Sequence, residues 1–305
     1  MTSSALLETG IALRPLSPNF GAVIEGLNTK EPLAPSTVQA LKDQLMQYKV
    51  LFLPQQYLNY EEQERLASSF GELRFDPLEH TVEGHPGLAL VDNVPWFHAD
   101  WMHQENPPLW SMLQLNSVPE LGGDTMFADL VQSYEALSET LRNFLEELTV
   151  HQSMANYQGD GSALVASHVA GMDKRFEKID AVLNSAHQER SDLEELISRV
   201  QPHTQPLVRL IPETGKKNYW VSRSFTRRIN ELTQAESDTL LEYLFSHQLN
   251  PEYVIRWKWH AGDIAFWDHR TTLHSGIKDY GDFQRYGCRA SIAGGRVIPA
   301  SQAIA

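Results

Sequence analysis

Short runs of β-forming residues, each bounded by turn residues, recur along the whole length of this 305-residue chain. Examples are VLFLP at residues 50–54, YVIRWKWH at 253–260 and DIAFWD at 263–268. Helical patterns lie in clusters between these runs and do not alternate with them, as a parallel βαβ sheet would require. The pattern therefore predicts a mainly β protein, a sandwich or barrel with flanking helices.

Four helices are predicted from periodicity and capping signals, one of them over roughly residues 60–70. Ser36 is the expected N-cap of a helix over residues 37–48. A helix is also expected over residues 133–148, and another begins at Thr233, where Glu236 three residues later completes a capping-box pattern.

The segment from about residue 153 to 205 differs from the rest of the chain. It is polar, mixed in charge and helical in pattern, so we interpret it as an insertion that could cover a site as a lid. No linker rich in Pro, Gly and Ser divides the sequence. A single domain over residues 1–305 is the simplest expectation.

Charge and cysteine content exclude several classes of function. A net charge of −14 disfavours general binding to nucleic acids or anionic membranes, although a local basic pocket could still bind a small acid. No stretch approaches the roughly 18 consecutive apolar residues of a membrane helix, and the first residues lack a signal-peptide pattern, so a cytoplasmic location is expected. Cys288 is the single cysteine, so any metal must be held by His, Asp or Glu.

The stretch PWFHADWMHQENPP, residues 95–108, contains a His-x-Asp pair. In an extended segment, His98 and Asp100 point to the same side and can reach one metal ion, but the pair alone is weak evidence. His269 and His274 in WDHRTTLH are candidates for a third ligand. Two histidines and one carboxylate form the open facial triad of non-haem Fe(II) oxygenases.

Further short motifs agree with such a site. They are FGEL at 70–73, the His-x-Asp pair, PP at 107–108, GGDT at 122–125, SYEALS at 133–138, FTRRI at 225–229, WDHRTTLH at 267–274, Arg285 and Arg289. In this order, and over nearly the full length, the chain resembles the taurine dioxygenase-like (TauD/TfdA) family of Fe(II)- and 2-oxoglutarate-dependent oxygenases. The resemblance implies a double-stranded β-helix, or jelly roll, carrying the helical lid insertion.

The resemblance also implies a role for each matching residue. His98, Asp100 and His274 would bind iron, while His269 falls where the family requires no ligand. Thr125 and Arg285 match the hydroxyl and the guanidinium that bind the distal carboxylate of 2-oxoglutarate, and a guanidinium can give a carboxylate two parallel hydrogen bonds. His103 is interpreted as a pocket-lining or structural residue.

The implied reaction uses Fe(II), O₂ and 2-oxoglutarate as cosubstrate. Oxidative decarboxylation would release succinate and CO₂ and would oxidise a C–H bond of the substrate, by hydroxylation or by desaturation. No side chain is needed as a nucleophile, because the protein orients the substrate and excludes water.

Four residues are candidates for substrate contacts: Arg289, Phe225, Trp101 and Asp76. Arg289 matches the position that meets the substrate sulfonate in the taurine enzyme, and Phe225 matches an aromatic residue that lines the substrate site. Trp101, directly after the expected ligand, could form a further wall, and its alternative role is core packing.

Asp76 and Glu79 argue against taurine itself. They stand where the taurine enzyme has a histidine and a tyrosine, and carboxylates would repel a sulfonate. An amino acid or a derivative of one would fit Arg289 and Asp76 better, unless Asp76 pairs with Arg74 or another residue.

A non-catalytic binding protein on the same scaffold is the alternative, since fold does not fix function. The expected partner is a small acid, without nucleic acid or membrane, and the sequence is compatible with a homo-oligomer.

Overall fold

A computed structural model describes residues 11–76, 79–91, 94–153 and 202–302. The strands in these ranges are β1 (Ala12–Pro15), β2 (Ala22–Glu25), β3 (Val50–Leu53), β4 (Thr81–Val82), β5 (His85–Leu90), β6 (Trp110–Ser117), β7 (Thr125–Asp129), β8 (Thr149–Gln152), β9 (His203–Pro206), β10 (Val208–Ile211), β11 (Lys216–Tyr219), β12 (Thr226–Ile229), β13 (Val254–Trp257), β14 (Ile264–Asp268), β15 (Thr272–Gly276) and β16 (Tyr286–Ile292). The helices there are α1 (Pro35–Tyr48), α2 (Tyr60–Ser68), α3 (Leu130–Glu135), α4 (Glu139–Glu146) and α5 (Gln234–His247). The predicted lid lies outside the described residues except at its ends.

The main sheet has eight strands in the order β1-β2-β3-β14-β6-β16-β5-β4. Its central strands β3 and β14 are buried along their whole length, which explains their continuous apolar sequences. β14 pairs antiparallel with both β3 and β6, and β6 pairs with β16. β16 carries Arg289, so this order brings that residue into the middle of the sheet.

A second sheet, β13-β7-β15, packs against the inner face of the main sheet. Aromatic rings fill the space between the two layers: Phe52 stacks on Trp257 with ring centroids 4.0 Å apart. Phe127 of β7 meets Trp267 of β14 edge-on at 5.8 Å. This arrangement agrees with the jelly-roll core that the family resemblance implies.

Helices α1 and α2 cover the outer face of the main sheet. Leu41, Leu45 and Leu66 are buried in one cluster with Phe70 and Phe266, whose ring centroids lie 4.6 Å apart. Burial of each such side chain contributes about 1.5–3 kcal/mol. The helices thus cover the outer face of the main sheet, and the second sheet covers its inner face.

Two of the predicted helices differ from the structure. α1 starts at Pro35 after Ala34, so the prediction that Ser36 is its N-cap is wrong. The helix predicted over residues 133–148 is two helices, because Ser138 accepts a hydrogen bond from the Leu141 N–H at 3.3 Å and starts α4. The start at Thr233 is confirmed, with its N–H donating to Glu236 at 2.9 Å.

Among the described residues, no helix has the length and apolar character needed to cross a membrane. The cytoplasmic location stays a prediction.

Candidate metal centre

The predicted ligands are brought together by a short backbone ladder. The His98 N–H donates to the His274 carbonyl at 3.0 Å, and the His274 N–H donates back to the His98 carbonyl at 2.8 Å. Asp100 follows two residues after His98, and its side chain reaches the same space. These two backbone hydrogen bonds therefore bring the His-x-Asp motif and the WDHRTTLH motif, which are distant in sequence, into one site.

His98, Asp100 and His274 offer ligand atoms that all lie within 4.8 Å of one another. Oδ1 of Asp100 lies 3.3 Å from Nε2 of His98 and 3.7 Å from Nε2 of His274. Nδ1 of His98 donates to the Trp96 carbonyl at 2.7 Å, which leaves Nε2 of that ring as the acceptor. Two imidazole nitrogens and one carboxylate oxygen fit Fe(II).

The protonation states of the ligands also fit a metal. Burial raises the pKa of Asp100, but Arg289, His274, His269 and a hydrogen bond with His98 together outweigh burial and hold that pKa well below its ordinary range. Burial lowers the pKa of His274 well below its ordinary value. At neutral pH the site therefore presents an ionised carboxylate and a neutral imidazole, the forms that bind metal ions.

His269 does not face the same oxygen as the other two histidines. Its Nε2 lies 3.3 Å from Oδ2 of Asp100 and 2.8 Å from Oγ of Ser111. Its Nδ1 accepts the backbone N–H of Asp100 at 3.3 Å. Because both ring nitrogens have protein partners, this arrangement does not favour His269 as a metal ligand.

Thr125 and Arg285 form a second polar group beside the ligands. β7 and β15 are paired so that Thr125 lies opposite Gly276, two residues beyond His274. Nη2 of Arg285 donates to Oγ1 of Thr125 at 3.2 Å, and its Nε donates to the Gly123 carbonyl at 2.8 Å. A cation with a hydroxyl beside it is suited to bind the carboxylate of a cosubstrate.

Trp259 supports this pair and was missed by the sequence analysis. Its Nε1 donates to Oγ1 of Thr125 at 2.9 Å, and the Arg285 guanidinium lies 5.9 Å from the centre of its ring. Gly123 has a φ of +75°, and a Cβ there would lie 3.3 Å from Cδ of Arg285, so the turn needs glycine. The only sequence signal for Trp259 is its place in the strand-like run YVIRWKWH.

Arg289 lies on the Oδ2 side of the Asp100 carboxylate, whereas the histidine ligands lie on its Oδ1 side. Its Nη1 is 2.8 Å from Oδ2 of Asp100, and its Nη2 donates to Glu79. Glu79 also accepts a hydrogen bond from Nε1 of Trp101 at 3.0 Å. The structure thus brings three of the predicted or considered substrate residues, Arg289, Glu79 and Trp101, together beside the metal ligands.

Asp76 lies beside Arg74, and its role as a substrate residue stays a prediction. It is buried, and its Oδ2 lies 3.3 Å from Nη2 of Arg74. This is the pairing that the sequence analysis left open as the alternative. The charge of Asp76 is therefore balanced by a neighbour on its own segment.

An aromatic row borders the site. The ring of His103 lies 5.9 Å from that of Trp101 and stacks on Phe225 at 5.0 Å. Trp101 has a φ of 51°, in the left-handed region, which is unfavourable for any residue other than glycine. This conformation turns the chain directly after Asp100. These rings form an apolar wall beside the polar groups.

Comparisons with known proteins agree with this geometry. The model of the family "Taurine catabolism dioxygenase TauD, TfdA family" matches residues 12–291. An alkylsulfatase of Acinetobacter baylyi is 31% identical, over 93% of this chain and 85% of its own length. An alpha-ketoglutarate-dependent sulfate ester dioxygenase of Pseudomonas putida is 29% identical, over 96% of this chain and 94% of its own length. The crystal structure of a taurine dioxygenase from Burkholderia xenovorans superposes with a TM-score of 0.77 at 30% identity, covering 96% of this chain and 92% of that one.

Proposed function

Because the chain belongs to the TauD/TfdA family of 2-oxoglutarate-dependent dioxygenases, we propose that it oxidises a C–H bond of a small organic acid whose acid group is bound by Arg289. One observation carries this assignment: Nη1 of Arg289 lies 2.8 Å from Asp100, a member of the candidate metal triad. An acid anchored on that guanidinium would present its nearest C–H bonds to the metal centre.

Each group of residues has a distinct task in this reaction. His98, Asp100 and His274 would hold Fe(II), which together with 2-oxoglutarate and O₂ supplies the oxidising power while the cosubstrate becomes succinate and CO₂. Arg285 and Thr125 would bind the distal carboxylate of 2-oxoglutarate. The aromatic row would exclude water from the substrate and leave few orientations open to it.

Within this class we propose an acid that also carries an amino group or another hydrogen-bond donor, such as an amino-acid derivative. Glu79 supports the proposal, because its carboxylate lies beside Arg289 and can receive a cationic group. Asp76 supports it less than the sequence predicts, because Arg74 already balances its charge.

An alkyl sulfate ester is the second candidate substrate. Two relatives that span most of this chain are named for sulfate esters or alkyl sulfates. The positive charge of Arg74, 3.3 Å from Asp76, weakens the repulsion that one of the two carboxylates would exert on a sulfate.

A succinate assay separates these candidates. The enzyme would be supplied with Fe(II), ascorbate, 2-oxoglutarate and air, and with a panel of amino acids, N-substituted amino acids, alkyl sulfates, sulfonates and aryloxy acids. We expect one acid class to stimulate succinate release and the stimulation to vanish in His98→Ala. Arg289→Leu should raise KM for the acid far more than KM for 2-oxoglutarate. Equal KM for the acid in Arg289→Leu and the parent would contradict the proposed substrate anchor.

A further inference from the structure

The carboxylate of Asp100 is divided between two sets of neighbours. Oδ1 faces the histidine ligands, at 3.3 Å from Nε2 of His98 and 3.7 Å from Nε2 of His274. Oδ2 faces the protein, at 2.8 Å from Arg289 and 3.3 Å from Nε2 of His269. One oxygen is therefore directed to the metal position, and the other faces the charge of Arg289 and the ring of His269 without a hydrogen bond to either.

His269 contacts Asp100 at two points. The ring is fully buried, its Nδ1 accepts the Asp100 backbone N–H at 3.3 Å, and its Nε2 faces the carboxylate. Since Nδ1 acts as the acceptor, the neutral ring carries its proton on Nε2 and donates it to Oγ of Ser111 at 2.8 Å.

The ring is itself fixed by its surroundings. Nε2 lies 2.8 Å from Oγ of Ser111 on β6, and that hydroxyl lies 2.9 Å from Oγ of Ser291 on β16. The backbone N–H of His269 donates to the Leu109 carbonyl at 3.1 Å, and the ring of Trp267 packs edge-on at 5.5 Å. Through these contacts, His269 connects the loop that carries Asp100 to three strands of the main sheet, β6, β14 and β16.

We propose that His269 is a positioning residue that holds Asp100 as a one-oxygen ligand, because it accepts the Asp100 backbone N–H and its ring lies against the Oδ2 side of the carboxylate. Arg289 holds the same oxygen by charge, but it is also the proposed receptor for the acid and can leave Asp100 when substrate binds. His269 is fully buried, so an acid that binds Arg289 does not displace it. It keeps the ligand oriented in both states, whichever acid the enzyme oxidises.

The experiment measures the metal-free protein with Co(II) as the probe, so it does not depend on turnover. His269→Phe retains a buried ring and removes both nitrogens, while His269→Gln retains one donor and one acceptor. We expect Co(II) affinity to fall about 10–100-fold in His269→Phe. A smaller loss is expected in His269→Gln, and the visible spectrum of bound Co(II) should change in both variants. With Fe(II), succinate release should become less tightly coupled to substrate oxidation.

Stability is measured on the same samples, because a structural role would also make His269→Phe less stable. A lower melting temperature with unchanged Co(II) affinity and an unchanged spectrum would overturn the proposal. If His269→Phe does not fold, Ser111→Ala decides the matter, since it removes the partner that fixes the ring and leaves His269 in place. An altered Co(II) spectrum in Ser111→Ala supports the role, and parental affinity with a parental spectrum refutes it.

Discussion

At the residue scale, the pairing of Arg289 with Glu79 is the contact that bears most directly on substrate choice. Both side chains are largely buried, with 11% and 17% of their surface exposed. A buried ion pair costs desolvation and contributes little net stability when it is complete, but each partner strongly determines what else can bind beside it. An incoming acid must therefore compete with Glu79 for the guanidinium.

Replacing Glu79 by Gln tests this competition. The amide keeps an acceptor for Trp101 but removes the competing charge, so KM for an acid without an amino group should fall, by roughly tenfold for a change of 1.4 kcal/mol. For an acid that carries an amino group, KM should rise, because the group that receives the cation is lost.

The measurement is a set of KM values across the acid panel. Glu105→Gln serves as the matched control, since that carboxylate pairs with the exposed Arg296. Identical KM values in Glu79→Gln and the parent for every acid would show that Glu79 does not compete for Arg289.

At the element scale, the sequence predicts strands better than helix ends. VLFL and IAFWD are apolar along their whole length, so burial on both faces identifies them from the sequence. The position of a helix end depends on which of several nearby residues occupies the N-cap position. Ser138 starts a new helix in the middle of a periodic stretch, and Pro35 starts α1 before Ser36 can cap it.

The three metal ligands could be predicted because each of them lies in a short sequence motif. The contacts that support these ligands could not be predicted. Arg289 and Glu79 lie 210 positions apart in the chain, and the contact of His269 with Asp100 joins positions 169 apart. No local pattern encodes such contacts. They follow from the strand order of the main sheet, in which β14, β6 and β16 are neighbours.

The N-cap of α2 offers a test at this scale. Asn59 accepts the Glu62 N–H at 2.9 Å, and Glu62 accepts the Asn59 N–H at 2.8 Å. α2 also contacts β16 through Gln63, whose amide donates to the Cys288 carbonyl at 2.7 Å beside Arg289. Asn59→Ala should lower the free energy of unfolding by about 1 kcal/mol in urea titrations.

Asn59→Asp is the matched control, because aspartate caps helices as well as asparagine does and its charge suits a helix N-terminus. It should keep parental stability. A stability loss in Asn59→Asp equal to that in Asn59→Ala would mean that the cap hydrogen bond is not what holds this end of the helix.

At the scale of the whole molecule, the candidate metal centre brings together residues that lie far apart in the sequence and belong to different parts of the fold. His98 and Asp100 lie in the loop after β5, and His274 lies on β15 of the second sheet. Arg289 reaches the same point from β16 of the main sheet. A metal ion bound there would tie the two layers together.

Metal binding should therefore stabilise the folded protein as a whole. An ion that binds only the folded state adds about 2.7 kcal/mol when its free concentration is about 100 times Kd. Urea unfolding of the metal-free protein with and without Co(II) measures this gain. We expect most of it to disappear in His98→Ala, because one of the three ligands is lost. His260→Ala is the control, since the His260 ring is 67% exposed and is not one of the three ligands. Equal stabilisation of His98→Ala and His260→Ala by Co(II) would show that the ion binds elsewhere on the surface and that the two layers are held together without it.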